Sequence, residues 1–307
     1  MSNRHVPRYL IGTDVETSGT NVPGRIGPDQ TPSQCLSIGI IIIDTQHPDL
    51  PEVGCFYREI RFDENNFLWE DWTTEKHGFT QEILASKPHM ANVATEVYCF
   101  LTRFINPHEP QVLMAHNPGF DRGFLLQVLA AGGYNLNLSY RMVDSFSLGW
   151  GHYGLHNTDE QFAFMGVPRG DHNALEDIRL VAEMLRLVRN AGNRKLVRAG
   201  RPPAGLPPYA VPFVEDYLKR RQQCLVGVGP QFMGLAIWTC DGKRQYAWYY
   251  RESQGEPDLE LVSSAYTSTI DRMLDDRLLD APHPPVPGPD GGVFQAFKAS
   301  FLQNIER

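Results

Sequence analysis

The chain has 307 residues, of which 42% are hydrophobic and 21% charged, and its formal net charge is −8 at pH 7. This length suffices for one large or two ordinary domains. The longest apolar run, residues 38–43, is far shorter than the roughly 18 residues of a membrane span, so we expect no membrane segment. Residues 1–8 lack the apolar core of a secretory signal, and five scattered cysteines fit neither a disulfide framework nor a Cys-x-x-Cys metal site. These features predict a cytoplasmic protein.

The charge is distributed unevenly along the chain. Residues 186–221 contain nine basic and two acidic residues, whereas the rest of the chain is strongly acidic. A cationic segment of this kind could bind the phosphates of a nucleic acid, or it could simply solubilise a linker. The sequence leaves both interpretations open.

The first half of the chain alternates strand-like and helix-like segments, which is typical of an α/β domain. Apolar runs predict strands, and apolar residues at helical spacing predict helices. The predicted strands are residues 9–15, 36–44, 55–62 and 111–115, and the predicted helices are residues 95–105, 118–131 and 173–190. The glycine, proline and polar residues of 18–33 predict a loop between the first two strands.

Two of these helices begin with capping signals. Asn117 stands before Pro118, a residue suited to the first helical position, and we expect the Asn117 side chain to cap free N–H groups. Asn173 is followed three positions later by Glu176, as in a capping box.

The second half of the chain begins with a predicted linker. Residues 191–212 contain five prolines, four basic residues and no acid, so we place a first domain at 8–190 and a smaller α+β domain at 213–307. In the smaller domain, Asp241-Gly242 predicts a hairpin turn. The other predicted elements are a short helix at 213–221, hairpin strands at 231–238 and 245–251, a helix at 264–279, a loop at 281–292 and a terminal helix at 294–305.

Asp14 and Glu16 stand two residues apart at the end of the first predicted strand, so their side chains point to the same face. Two adjacent carboxylates repel each other unless a cation neutralises them, and oxygen ligands favour Mg²⁺ or Mn²⁺. A solvated strand end would show the same pattern.

Further carboxylates follow at the two capped helices. Asp121 lies in the first turn of one and Asp177 near the start of the other, where each could merely complement the helix dipole. His172, just before the second helix, could be an ordinary surface or core histidine. Taken together, four carboxylates and a histidine are the groups that two-metal hydrolysis of a phosphodiester uses.

Three segments of the chain resemble, in the right order, the motifs of the DEDD (DnaQ-like) exonuclease superfamily. They are Thr13-Asp14-Val15-Glu16-Thr17, His116-Asn117-Pro118-Gly119-Phe120-Asp121 and His172-Asn173-Ala174-Leu175-Glu176-Asp177. The third is similar to the histidine (DEDDh) branch, which includes ribonuclease T and proofreading epsilon subunits, since the tyrosine branch has tyrosine where Asn173 stands. His77-Gly78-Phe79-Thr80 resembles the His-Gly segment with which the family contacts the substrate end. The resemblance covers residues 8–190 but not the long loop at 21–33.

The resemblance implies a fold and a chemistry. The fold is a ribonuclease H-like mixed sheet flanked by helices. The activity is removal of nucleotides from single-stranded 3′ ends of DNA or RNA, with release of 5′-mononucleotides. Two Mg²⁺ ions, for which Mn²⁺ can substitute, would be held by Asp14, Glu16, Asp121 and Asp177, and His172 would act as the general base.

The same resemblance and the aromatic content suggest substrate contacts. We expect Thr17, His77 and Gly78 to contact the terminal phosphate or sugar, and Phe79 and Phe124 to stack on unpaired bases. For each phenylalanine an ordinary core position is an alternative, and for Phe124 the core position is the favoured one. Asp144 resembles a family position that is usually structural, and it is left out of the metal set.

A different function remains open at this stage. A catalytically silent nucleic-acid-binding or polymerase-partner module could retain the same fold. The domain at 213–307 could form a substrate clamp, a homodimer interface or a docking surface for a protein partner.

Overall fold

The computed structural model describes residues 7–166, 173–198, 202, 204–226, 232–240, 243–251, 258–279, 286–287 and 293–297. The chain divides into two compact units. The first comprises residues up to Thr45 and Leu50–Val188, and the second comprises Gln46–Asp49 and residues from Arg189 onward. None of the helices in the described ranges combines the length and apolar character that a membrane crossing requires.

The first unit contains a five-stranded sheet and the start of a long helix, α7. Its strands are β1 (Tyr9–Thr17), β2 (Cys35–Asp44), β3 (Glu52–Glu59), β4 (Gln111–Ala115) and β5 (Leu138–Asp144). Its helices are α1 (Trp72–His77), α2 (Gln81–Ala85), α3 (Met90–Leu101), α4 (Pro118–Ala131), α5 (Ser145–Tyr153), α6 (Thr158–Phe164) and α7 (Ala174–Arg198).

The strand order is β3-β2-β1-β4-β5, and the sheet is mixed. β1 pairs antiparallel with β2, β2 pairs antiparallel with β3, and β4 joins β1 and β5 in parallel. This mixed sheet with flanking helices confirms the predicted ribonuclease H-like fold. The order places β1 at the centre, so that its side chains are covered on both faces.

Side-chain alternation divides the core into two layers. One face of the sheet, with Ile11, Ile40 and Leu113, packs with residues of α3 and α4. The opposite face, with Leu10, Ile41 and Met114, packs on Ile178 and other residues of α7. Asp14 and Glu16 have the same parity as Leu10 and therefore point to the α7 face.

Helix α7 approaches the sheet closely beside Asp14. Gly39 of β2 stands opposite Asp14 of β1 in the antiparallel register. A Cβ atom at Gly39 would lie 2.5 Å from the backbone of Ala174 and Leu175, closer than real Cβ contacts allow. The missing side chain therefore lets the first turn of α7, and with it Asp177, reach the side of β1 that bears Asp14 and Glu16.

The second unit is built around an antiparallel sheet. Its described elements after α7 are α8 (Val211–Val226), β6 (Phe232–Cys240), β7 (Lys243–Arg251), β8 (Asp258–Leu261), a 3₁₀ turn at Ser264–Tyr266, α9 (Thr267–Asp275), β9 (Val286–Pro287) and β10 (Val293–Phe297). The sheet order is β8-β7-β6-β10-β9. Phe213 of α8 stacks on Trp248 of β7, with ring centroids 5.3 Å apart. The predicted antiparallel pairing of β6 with β7 is confirmed, and the predicted turn at Asp241-Gly242 lies outside the described residues.

Three secondary-structure predictions are wrong. The helix predicted to end near Asn190 continues to Arg198, because no proline interrupts it, and residues 191–198 and 211–212 of the predicted linker are helical. Of the terminal helix predicted at 294–305, the described part is strand β10, since pairing with β6 overrides a local apolar pattern. Asn117 does not cap α4 with its side chain, because its backbone is left-handed (φ 60°, ψ 60°).

We predict that Gly39→Ala destabilises the fold and weakens metal binding. The added methyl group must displace the backbone of Ala174, so we expect a loss of roughly 1–3 kcal/mol in the free energy of unfolding, measured by chemical denaturation. Gly151→Ala is the matched control, because a Cβ atom there meets only open space within α5. It should leave stability unchanged or slightly raised. Equal effects of the two substitutions would contradict the close-approach argument.

Candidate active site

Two carboxylates of the site come from the central strand. Asp14 is partly buried, whereas Glu16 is only 4% exposed. A bulge in the register between Glu16 and Thr17 ends the regular pairing of β1 with β2 just beyond them. Because both side chains project from the same face of the central strand, the backbone of β1 holds them close together.

The third carboxylate enters from α4. Asp121 lies in the first turn of this helix and is 2% exposed. Hydrogen bonds from the backbone of Asp121 and Val15 reach its carboxylate, yet Asp121 Oδ2 is buried without a hydrogen-bond partner among the described residues. A buried oxygen without a partner is costly, and a cation is one group that could satisfy it.

The fourth carboxylate comes from α7. Asn173 Oδ1 accepts hydrogen bonds from the N–H groups of Leu175 (3.0 Å) and Glu176 (3.3 Å), which confirms the predicted cap and fixes the first turn that carries Asp177. One carboxylate oxygen each of Asp14, Glu16 and Asp177 lie within 4.8 Å of one another.

Like charges shift the ionisation of this group. Burial raises the pKa of Asp14 well above its ordinary value, and the charges of Asp121, Glu16 and Asp177 raise it further, whereas Lys76 lowers it. Burial also raises the pKa of Asp121, against backbone hydrogen bonds that lower it. The donor set is made of oxygen atoms alone, so the residues present fit a hard divalent cation such as Mg²⁺.

All four carboxylates line one cavity of about 210 Å³. Lys76 of α1, His116 at the end of β4 and Phe120 of α4 also line it, and α6 supplies a further wall with Thr158, Gln161 and Phe162. The structure therefore brings together the whole predicted metal set, Asp14, Glu16, Asp121 and Asp177. His172, the predicted general base, lies outside the described residues.

Hydroxyl groups fix the ring of His116. Its Nδ1 lies 3.0 Å from Ser145 Oγ, and its Nε2 lies 2.9 Å from Thr158 Oγ1. His116 is the first residue of the second motif, and the sequence indicates no role for its side chain. The separation of His116 from Thr158 by 42 residues explains why no local sequence pattern reveals this contact.

Asp144 holds the turn that leads into α4. Asp144 Oδ1 accepts hydrogen bonds from the N–H groups of Asn117 and Phe146, both 3.1 Å long. The first bond stabilises the left-handed conformation of Asn117, and the second caps α5. Asp144 therefore positions the helix that carries Asp121, in agreement with the structural position that its resemblance implied.

His77 contacts the metal set rather than open solvent. Its Nδ1 lies 2.5 Å from Glu16 Oε2, and both side chains are buried. The neighbouring Gly78 is exposed and left-handed (φ 70°), and its N–H donates to Thr74 O in the cap of α1. The backbone N–H of Gly78 is therefore already bonded within the helix. The side chain of His77, by contrast, lies beside a carboxylate of the site.

Neither of the two phenylalanines that were predicted to stack on bases lines the cavity. Phe124 is fully buried in the main core and has no exposed ring face. Phe79 is buried in a small apolar cluster with Leu36 and Leu84. The periodicity of the sequence alone could not distinguish these core positions from positions on a binding surface. The aromatic residue of α4 that does line the cavity is Phe120.

Thr17 is buried, and its hydroxyl donates to Gly19 O (2.8 Å). Its expected contact with substrate stays a prediction. In the basic segment, Arg186 pairs with Glu183, and Arg220 pairs with Asp216 and Glu260. These two guanidinium groups are therefore engaged within the protein.

We predict that Asp144→Ala loosens the turn before α4. Loss of the α5 cap and of the bond to Asn117 should cost roughly 1–3 kcal/mol of stability, measured by denaturation, and should weaken Mg²⁺ binding, measured by calorimetry. The control is Thr80→Ala, which removes the cap of α2, outside the cavity wall, and should lower stability but leave Mg²⁺ affinity unchanged. Loss of Mg²⁺ affinity in both variants would argue against a specific positioning role.

We predict that Asp121→Asn stabilises the metal-free protein. The amide keeps an acceptor for the backbone, removes a desolvated charge and can donate to a neighbouring carboxylate. We therefore expect a gain of about 1 kcal/mol, or roughly 2–4 °C in Tm by calorimetry. The wild type should gain about 2.7 kcal/mol at an Mg²⁺ concentration of about 100 times Kd, and the variant much less. Glu64→Gln, an exposed carboxylate, is the control. A lower metal-free Tm for Asp121→Asn would refute the repulsion argument.

Comparisons with known proteins were made on sequence and on structure. Residues 11–185 match a family model described as an exonuclease, named for ribonuclease T. A comparison with curated protein sequences finds no match. The nuclease domain of 3'hExo, a DEDDh family member bound to rAMP, is 14% identical, with a TM-score of 0.45 over 60% of this chain and 93% of that one.

Two further solved structures are similar. E. coli exonuclease I in complex with a dT13 oligonucleotide is 13% identical, with a TM-score of 0.47; the match covers 80% of this chain and 52% of that one. S. pombe Pop2p in its Mg²⁺- and Mn²⁺-bound form is 13% identical, with a TM-score of 0.43 over 59% of this chain and 82% of that one. Because the family model spans more than half of the sequence, the chain belongs to the ribonuclease T exonuclease family, as its three DEDD motifs predicted.

Proposed function

We propose that the protein is a metal-dependent 3′→5′ exonuclease that hydrolyses phosphodiester bonds at single-stranded 3′ ends of DNA or RNA and releases 5′-mononucleotides. The observation that carries this proposal is the convergence of Asp14, Glu16, Asp121 and Asp177 on one cavity. Repulsion among four carboxylates gives a metal-free protein no benefit, whereas it favours binding of divalent cations.

Each carboxylate has a distinct supporting feature for holding Mg²⁺. Asp14 and Glu16 are fixed by the central strand, Asp121 presents a buried oxygen without a partner, and Asp177 lies on the capped helix. Bound ions of this kind lower the pKa of a water nucleophile and stabilise the charge that develops on the leaving oxygen. We assign His172 the role of general base, since an imidazole titrates near neutral pH.

The shape of the cavity supports attack at a strand end. The cavity, with a volume of about 210 Å³, is small for a ligand site. A single terminal nucleotide can present its phosphate to the carboxylates while the rest of the strand stays outside. Metal-dependent hydrolysis of a phosphodiester does not require the sugar 2′-hydroxyl, so both DNA and RNA are included in the proposal.

The experiment is digestion of matched single-stranded DNA and RNA oligonucleotides labelled at the 5′ end, with Mg²⁺ or with chelator. We expect a ladder that shortens from the 3′ end only with Mg²⁺, and slower digestion of a blunt duplex. Asp14→Asn should abolish the ladder, and His172→Ala should lower kcat by roughly 10²–10⁴-fold. Glu64→Gln is the matched control and should digest like the wild type.

Each outcome has a distinct meaning. A ladder that shortens from the 5′ end, or internal cleavage, would contradict the proposed polarity. Binding of oligonucleotides without any digestion would favour the silent nucleic-acid-binding module. Circular dichroism of Asp14→Asn and His172→Ala would show whether a loss of activity reflects chemistry or unfolding.

A further inference from the structure

Helix α1 carries a cation into the wall of the carboxylate cavity. Lys76 stands in the last turn of this six-residue helix and lines the cavity together with Asp14 and Asp177. Among the described residues that line it, Lys76 is the one with a permanent positive charge. Its charge also acts on the site, because it lowers the pKa of Asp14.

The ammonium group of Lys76 is held without being neutralised. It lies 5.3 Å from the ring centroid of Trp72, within the range of a cation–π contact. It forms no ion pair with any carboxylate of the described residues, whereas Lys87, eleven positions later, pairs with Glu59 at 2.5 Å. A held but unpaired ammonium group beside a cavity can bind an anion.

Trp72 fixes this arrangement from behind. Its Nε1 donates to Glu70 Oε2 (2.6 Å), and its ring also contacts the His77 ring, with centroids 5.6 Å apart and planes at 65°. The indole therefore orients both Lys76 and His77. Both of these contacts lie within α1 itself, because Trp72, Lys76 and His77 all belong to this helix.

With two divalent ions and a phosphodiester bound, the site would carry a net negative charge that one further cation could balance. Four carboxylates balance two divalent ions, so a phosphodiester that enters the cavity brings a negative charge that the metals and carboxylates together do not cancel. Lys76 supplies one positive charge at the wall of the same cavity. A phosphate is also the anionic group that a lysine binds as a point charge.

We propose that Lys76, oriented by Trp72, is a phosphate-binding residue whose ammonium group donates to a non-bridging oxygen of a substrate phosphodiester close to the 3′ end. This inference rests on the proposed function for the identity of the ligand as a nucleic acid. It adds a binding residue that does not belong to the DEDD motifs. The competing explanation is structural: Lys76 would only stabilise α1 through its contact with Trp72.

The test measures binding by fluorescence anisotropy with a labelled single-stranded oligonucleotide. Ca²⁺ replaces Mg²⁺, and a gel verifies that the strand stays intact. We expect Lys76→Ala to weaken binding about tenfold and to reduce the slope of log K against log salt by about 0.7, the value for one phosphate contact on a single strand. Lys76→Arg should retain most of the affinity, and Lys87→Ala is the charge-matched control.

A set of modified strands separates phosphate binding from a structural role. Each strand carries one uncharged methylphosphonate at one of the three linkages nearest the 3′ end. At the linkage that Lys76 contacts, the modification should weaken wild-type binding and cause no further loss in Lys76→Ala. Equal additional losses at all three linkages, or unchanged affinity of Lys76→Ala for the unmodified strand, would overturn the proposal.

The two proposals can fail separately. Normal Mg²⁺-dependent digestion by the wild type with unchanged binding by Lys76→Ala would remove the phosphate site and leave the exonuclease. Lys76-dependent, linkage-specific binding without digestion would remove the exonuclease and leave a phosphate site on a binding protein. Thermal unfolding of Lys76→Ala in the absence of nucleic acid shows whether α1 itself has been destabilised.

Discussion

Repulsion among four carboxylates in one partly desolvated cavity is the interaction on which the rest of the first unit depends. The pKa of Asp14 is raised by burial and then by Asp121, Glu16 and Asp177. A flexible site would relieve this repulsion by letting the side chains separate. The chain instead places one pair on the central strand of the sheet, where both faces are covered by core residues. The stability of the surrounding core thus offsets the repulsion among the carboxylates, and a bound cation would turn this repulsion into attraction.

Three backbone features bring the remaining carboxylates to that strand. The missing side chain of Gly39 admits the start of α7, and the Asn173 cap fixes its first turn. The left-handed Asn117, held by Asp144, redirects the chain from β4 into α4. None of these residues belongs to the predicted set of metal ligands. Each determines where a carboxylate stands, so the geometry of the site is distributed over segments far apart in the sequence.

The sequence predicted a feature best where that feature depends on residues that are neighbours in the chain. Strand β4 was predicted with the bounds that the structure shows, and the Asn173 cap is present because capping involves neighbours in the chain. The convergence of Asp14 and Glu16 follows from the alternation of side chains along a strand. Four carboxylates on three different elements could be assembled only by the resemblance of whole motifs.

Other features depend on contacts that no local pattern contains. Phe124 has the same helical spacing whether it faces the core or a ligand, and only the packing of α4 against the sheet decides that it is buried. The left-handed turn at Asn117 requires Asp144, which lies 27 residues away. Strand β10 forms because β6 offers it an edge. Sequence patterns therefore predicted the existence of elements better than the direction in which their side chains point.

The positive side of the cavity depends on the loop that departs from the DEDD pattern. Glu70 accepts the N–H of Thr20 (2.8 Å) and donates its own N–H to Ser18 O (2.8 Å), so it ties the start of the loop at 18–33 to the segment before α1. The same carboxylate accepts the indole N–H of Trp72, on whose ring Lys76 lies. The Glu70 carboxylate thus links the loop to Trp72 of α1. The same loop also contacts α4, the helix that carries Asp121: Gln127 donates to Ser33 O (2.8 Å), and a Cβ atom at Gly123 would clash with the Val22 side chain. Within this scaffold, the position of Lys76 and the position of Asp121 therefore depend on the same loop.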